Sequence, residues 1–193
     1  MKRDVILAGV GGQGLLALAA VVAEAALELC LYLKESEVHG MAQRGGSVTS
    51  HLRFSDRPIH SDLIPEGTAD LILALEPMEG LRYAHLLVPA GAFVSSSAFV
   101  KNLPAYPPEE AILAAIKELP CHVLVDAVHL AEKAGSPQCA NLVVLGAGTP
   151  FLGLPEEALA AAIHRIFQGR PEAVVERNVK GFRLGLEAAR GKG

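Results

Sequence analysis

The residues whose types and spacing carry the most chemistry are Gly9-Val10-Gly11-Gly12-Gln13-Gly14. Glycines tolerate positive φ and let a backbone approach a ligand closely. This GxGxxG run lies between an apolar segment (Val5, Ile6, Leu7) and an apolar helical pattern, where a phosphate-binding turn belongs. The first helical turn would then offer unpaired N–H groups and the positive end of its dipole to an anion. Gly11, Gly12, Gln13 and Gly14 are the first candidates for holding a phosphate-bearing ligand.

Two cations downstream could serve the same ligand. A dinucleotide site asks for an Asp or Glu about 20 residues after the turn, to hold a ribose hydroxyl. Here Lys34 closes the expected second strand and Glu35 follows it. Lysine favours phosphate over a free ribose diol, and Glu35 leaves a nicotinamide cofactor open. Arg44, beside Gly45-Gly46, could offer a bidentate fork to phosphate or shape a subunit contact. Nucleophile–base pairs are not evident, and no catalytic residue is assigned. The seven histidines do not cluster, and His39 reads as a surface or structural residue. Cys30, Cys121 and Cys139 form no CxxC pair, so no metal or iron–sulfur site is expected in this chain. They read as small buried hydrophobes in a reducing cytoplasm.

The elements that position these groups follow from periodicity. Apolar runs predict strands over 4–8, 30–34, 69–75, 92–95 and 121–126, and helices over 14–29, 78–87, 109–119, 129–134, 155–168 and 172–190. Residues 36–46 read as a loop. From Ser47 the pattern alternates, with Val48, Ser50, Leu52 and Phe54 on one face and Thr49, His51 and Arg53 on a solvated or interface face. This strand follows the second with no room for a crossover helix, so the sheet there should be antiparallel. Glu76 before Pro77 reads as a helix start. Residues 141–148 stay open between strand and helix. The expected architecture is α/β: a Rossmann-like mixed sheet with helices on both faces, an N-terminal βαβ-like unit followed by an antiparallel excursion. One domain, 1–193, accommodates all of it.

Composition narrows the class. Hydrophobic residues make up 51% of the chain and the mean hydropathy is +0.34, which suggests a partner surface. A net charge of −4 argues against nucleic-acid binding. Met1-Lys2-Arg3 before an uncharged run could mimic a targeting segment, but Asp4 and four glycines interrupt it, so neither a membrane span nor a leader is expected.

The combination GVGGQG, KESEVHGMAQRGGSV, SHLRFSD, LEPMEGLR and a late ERNVKGFRLG, in this order over about residues 4–190, resembles the gamma-type subunit or domain of the 2-oxoacid:ferredoxin oxidoreductases. The wording MAQRGGSV is most similar to the small (beta) subunit of the indolepyruvate type. The resemblance implies a subunit inactive alone, which helps bind coenzyme A and completes an active site for oxidative decarboxylation of a 2-oxoacid, an arylpyruvate such as indolepyruvate, to acyl-CoA. Thiamine diphosphate and iron–sulfur clusters would reside on a large alpha subunit, with ferredoxin served through the complex. A homodimer is allowed for the isolated chain. The resemblance adds Asn178 to the candidate coenzyme A contacts, after the turn, Lys34 and Arg44. Two other functions stay open: a free-standing NAD(P)-binding oxidoreductase, and a structural scaffold subunit with no ligand.

Overall fold

The structure is a computed structural model and describes residues 1–39, 45–102 and 105–191. Its centre is a six-stranded sheet in the order β2-β3-β1-β4-β5-β6. In chain order the elements are β1 (Lys2–Val10), α1 (Leu15–Glu28), β2 (Tyr32–His39), β3 (Ser47–Ser55), β4 (Ala69–Ala74), α2 (Pro77–Leu81), β5 (Leu87–Ser96), α3 (Glu109–Lys117), β6 (His122–Val125), α4 (Ala127–Ala134), α5 (Ala140–Leu152), α6 (Glu156–Phe167) and α7 (Glu172–Arg190). Strands β1, β4, β5 and β6 are mutually parallel, whereas β3 runs antiparallel to both β1 and β2. The sheet is therefore mixed, as the missing crossover helix required.

Alternation along the parallel strands sorts the core into two layers. Val5, Leu7, Leu71 and Leu73 point toward α1, α4, α5, α6 and α7. Ile6, Ile72 and Phe93 point the other way, against Met78 of α2 and Ile112 and Ile116 of α3. The chain leaves β1 on one face and leaves β4 and β5 on the other, so the sheet changes winding direction between β1 and β4. In an open α/β sheet, the crevice beyond the strand C-termini at such a point is where ligands bind.

Residues 141–148 are helical. They lie inside α5, which is buried on nearly every side, so apolar residues all round left no period to read. Two glycines let α5 cross α7 backbone to backbone: a Cβ on Gly146 would collide with the Phe182 carbonyl, and one on Gly185 with the Val143 carbonyl.

Two expectations are corrected. The second strand does not end at Lys34; it continues to His39, because 32–39 pairs in register with residues 48–55 of β3. The face of β3 carrying Thr49 and Arg53 is not solvated either. Arg53 is buried and donates through Nε and Nη2 to the fully buried Asp4, and through Nη1 to the carbonyls of Ser61 and Leu63. The Thr49 hydroxyl donates to the Leu7 carbonyl, and the His51 Nδ1 accepts from the Ile64 N–H. Polar residues occupy a covered face because each finds a partner there.

Candidate functional site

β1 carries the chain to Val10, and the glycine turn begins where the sheet ends. Gln13 closes the turn. Its Oε1 accepts from the Val10 N–H at 2.7 Å, its backbone N–H donates to the Val10 carbonyl, and its Nε2 donates to the Leu75 carbonyl at the end of β4. One side chain thus ties the ends of the two strands that flank the crevice. Gly11 is also committed: its N–H donates to the Gly46 carbonyl at 2.8 Å, and its carbonyl accepts from the Gly45 N–H at 3.1 Å. The Gly45-Gly46 pair packs on the turn as a second loop, and Asn102 reaches the Gly45 carbonyl through Nδ2.

Gly12 and Gly14 stand apart. Gly12 is exposed, has φ +105°, and has no heavy atom within 4 Å of where a Cβ would sit. Gly14 has φ +81° and is the N-cap of α1, with no side chain capping that helix. The first N–H groups of α1 are therefore left for an incoming anion. The Gly14 carbonyl is held by Nδ2 of Asn141, at the start of α5.

Of the cavities that border the turn, two have Gly12 in their walls. One, of about 440 Å³, is bounded by Gly11, Gly12, Leu16, Val48 and the Glu37 carboxylate of β2. The other, of about 460 Å³, runs over the ends of β4 and β5 past Leu75 and Ser96 to Gln138 and Asn141. Behind the turn sits a buried acidic pair. Glu76 caps α2 by accepting from the Glu79 N–H and also accepts from the Tyr106 hydroxyl. Glu79 accepts from Ser47 Oγ at 2.6 Å and pairs with Arg82. Burial, then the hydrogen bond and charge of Glu76, push the Tyr106 phenol well above its ordinary range, so it stays a donor. The reading of Glu76 as a helix start holds.

The expected site residues separate. Gly11, Gly12, Gln13 and Gly14 form the turn. Lys34 is level with Arg53 and Asp4 in the sheet register, six residues before Val10 along the strand direction, which is about 20 Å at about 3.4 Å per residue. It pairs with Asp62 instead. Arg44 lies outside the described residues. Asn178 is buried on α7, donates to the Val174 carbonyl, and lines a separate cavity that touches Gly14 but not Gly12. Sequence reasoning missed Glu37, because it ended β2 too early. It also missed Asn141, whose partner is 127 residues away in the chain.

Comparison with known proteins follows this geometry. Residues 4–188 match the pyruvate ferredoxin/flavodoxin oxidoreductase family. The chain is 34% identical to indolepyruvate oxidoreductase subunit IorB of Archaeoglobus fulgidus, over 98% of this chain and 96% of that one. The keto/oxoacid ferredoxin oxidoreductase gamma subunit of Geobacter sulfurreducens superimposes with a TM-score of 0.70 at 27% identity, covering 98% of this chain and 99% of that one. A 2-oxoglutarate:ferredoxin oxidoreductase of Magnetococcus marinus, with 2-oxoglutarate, coenzyme A and succinyl-CoA bound, shares the fold. Its TM-score is 0.76 at 20% identity, and the match covers 98% of this chain but 31% of that one.

Proposed function

The chain belongs to the pyruvate ferredoxin/flavodoxin oxidoreductase family, and from that premise we propose that its glycine turn is the pyrophosphate cradle of a coenzyme A site completed by a large subunit. The chain is an IorB-like small subunit of a 2-oxoacid:ferredoxin oxidoreductase. In the proposed reading it is one domain, inactive alone, and works in the cytoplasm. The large subunit carries thiamine diphosphate and the iron–sulfur clusters and passes electrons to ferredoxin. Indolepyruvate or a related arylpyruvate is the 2-oxoacid.

One observation carries the coenzyme A assignment: the exposed, positive-φ Gly12, followed by the uncapped start of α1, at the point where the sheet changes winding direction. An anion there meets backbone N–H groups and a helix dipole without displacing a side chain. Arg44, three residues before β3 in the sequence, supplies the side-chain cation in this reading. Lys34 has no part in it.

The test uses the assembled complex. Coenzyme A-dependent reduction of a viologen dye is measured with indolepyruvate, pyruvate and 2-oxoglutarate in parallel, for wild type and Gly12→Asp. The expected result is at least a ten-fold rise in apparent KM for coenzyme A, with assembly intact. An unchanged KM would remove the turn from the phosphate site.

Glu37 favours a second reading. It is the acid two residues before the end of β2, in the cavity beside the glycines, where a carboxylate could accept from the hydroxyls of a nicotinamide dinucleotide. Titration with NADH, NADPH and coenzyme A, followed by thermal shift, separates the two. A ligand at a hundred times its Kd adds about 2.7 kcal/mol. A response to NADH alone would favour the dinucleotide.

A further inference from the structure

Two carboxylates are buried behind the glycine turn without a part in ligand binding: Glu76 is 0% exposed and Glu79 is 1%. Both sit at the start of α2, a helix of five residues, too short to hold its position unaided. The sheet holds it. Met78 packs in the layer it shares with Phe93 and Ile112. A Cβ on Gly80 would collide with the Ala74 side chain and the Phe93 ring, so the backbone of α2 lies directly on β4 and β5. The two glutamates are therefore carried on a rigid base just past the end of β4. Each pins a different segment to that base. Glu76 accepts from the Glu79 N–H at 2.7 Å and from the Tyr106 hydroxyl, which ties down the chain between β5 and α3. Glu79 Oε2 accepts from Ser47 Oγ at 2.6 Å, with Arg82 Nε on the same oxygen at 3.2 Å.

Glu79 is a costly way to fill this position. Its Oε1 is buried and has no partner among the described residues. A buried carboxylate with one oxygen unmatched opposes folding, and apolar side chains of similar size often serve a core better. What Glu79 holds explains the acid. Ser47 opens β3 directly after Gly45-Gly46. Those two glycines have no side chains, so apolar burial cannot place them and hydrogen bonds must. The Gly45 N–H donates to the Gly11 carbonyl at 3.1 Å, the Gly11 N–H donates to the Gly46 carbonyl at 2.8 Å, and Asn102 Nδ2 donates to the Gly45 carbonyl at 3.1 Å. The Ser47–Glu79 bond ties the same loop to α2. Gly11 is thus bonded through both its N–H and its carbonyl, while Gly12 beside it makes no hydrogen bond among the described residues. The loop fixes one residue of the turn and leaves the next free, which is how a preorganised site is built.

We propose that Glu79 is a positioning residue for the glycine turn: from α2 it holds Ser47, and through Ser47 it sets the Gly45-Gly46 loop that fixes Gly11. Its consequence for coenzyme A rests on the reading of the turn as the phosphate site. Glu79 touches no ligand in this account. It acts through a chain of three hydrogen bonds, Glu79 to Ser47, Gly46 to Gly11 and Gly45 to Gly11, and each link holds backbone that has no packing of its own. Removing the first link loosens the loop, lets Gly11 move, and lowers the fraction of turns ready to receive an anion. Binding of coenzyme A weakens while the chemical step, carried elsewhere, keeps its rate.

The test combines amide hydrogen exchange of the full chain with kinetics of the assembled complex. Ser47→Ala should speed exchange of the Gly11 amide at least five-fold relative to the Val5 and Leu7 amides in mid-strand. In the complex it should raise the apparent KM for coenzyme A at least three-fold with little change in kcat. Ser47→Thr, which keeps the hydroxyl, should return both values toward wild type. Glu79→Ala should match Ser47→Ala, and the double variant should be no worse than either, because both remove one link. If Glu79→Ala fails to fold, the Ser47 pair decides alone. Unchanged Gly11 exchange in Ser47→Ala, no rescue by threonine, or additive effects in the double variant would overturn the inference. A raised KM in Gly12→Asp beside an unchanged KM in Ser47→Ala would also overturn it and leave the coenzyme A reading standing. Unchanged KM in both variants, with faster Gly11 exchange in Ser47→Ala, would support the positioning role and remove the phosphate assignment.

Discussion

Removing the Gln13 amide would leave the Val10 N–H and the Leu75 carbonyl without their partners and cut the tie between β1 and β4. Each unmatched group in a part-buried setting costs about 1–3 kcal/mol, less where water can replace the bond. Gln13→Ala should therefore lower the urea midpoint of the isolated chain by an amount equivalent to about 1–3 kcal/mol. A side chain that served only to touch a ligand would leave that midpoint where it was. Gly12→Asp works on a different quantity. Its Cβ meets open space, so the cost to folding is the left-handed backbone, about 1–2 kcal/mol, while the added carboxylate stands where an anion would bind. The glycines were legible because a turn between strand and helix restricts residue type locally. The roles within the turn were not: that Gly11 is bonded to Gly46 and Gln13 to Leu75 depends on chain segments brought in from 35 to 62 residues away.

At the scale of elements, the α5–α7 crossing is the tightest joint in the fold. A methyl group on Gly185 would enter the Val143 carbonyl, so the helices must part to admit it. Overpacking of this kind costs about 1–3 kcal/mol, and Gly185→Ala should show it in chemical denaturation although alanine is the better helix former. The late glycines Gly181 and Gly185 are packing sites, and only the neighbouring helix reveals that. The segment after β3 gives a pH dependence. His51 Nδ1 accepts from the Ile64 N–H, a bond the imidazolium cannot make. Burial first, and Arg53 second, lower its pKa below the ordinary 6.5. The unfolded chain therefore takes up a proton near pH 6.5 that the folded chain refuses. Its stabilising contribution is complete above that value and declines as pH falls through it toward the depressed folded pKa. Urea midpoints compared at pH 7.5 and 5.5 should fall more for wild type than for His51→Gln. The strand itself was legible from its alternation. Its burial was not, because Asp4, the partner that lets Arg53 be covered, lies 49 residues away.

For the whole molecule, the mixed sheet was readable from one fact, the absence of space for a helix between β2 and β3. Strand order and the level of Lys34 were not, because a strand end set one-third of the way along β2 moves a site residue by most of the sheet's length. That error matters to function: it replaces a lysine near the turn with Glu37 and leaves Arg44 as the side-chain cation of the coenzyme A reading. The same scale governs what the chain can do alone. Its three cysteines stand apart, one after α1, one before β6 and one at the start of α5, and among the described residues no three His, Cys, Asp or Glu side chains gather. Oxidation of a 2-oxoacid releases two electrons, which need a carrier. If the large subunit holds the thiamine and the clusters, the purified chain should reduce no viologen with any 2-oxoacid, coenzyme A present or absent. Titrating it into the large subunit should raise the rate to a plateau, and the plateau position gives the stoichiometry. In the coenzyme A reading the Gly12→Asp chain should reach its plateau at the same ratio yet demand more coenzyme A, because that reading assigns assembly and phosphate binding to different parts of the surface. Activity from the purified chain alone would contradict the division of labour, and a shifted plateau ratio for the variant would place the turn in the subunit contact.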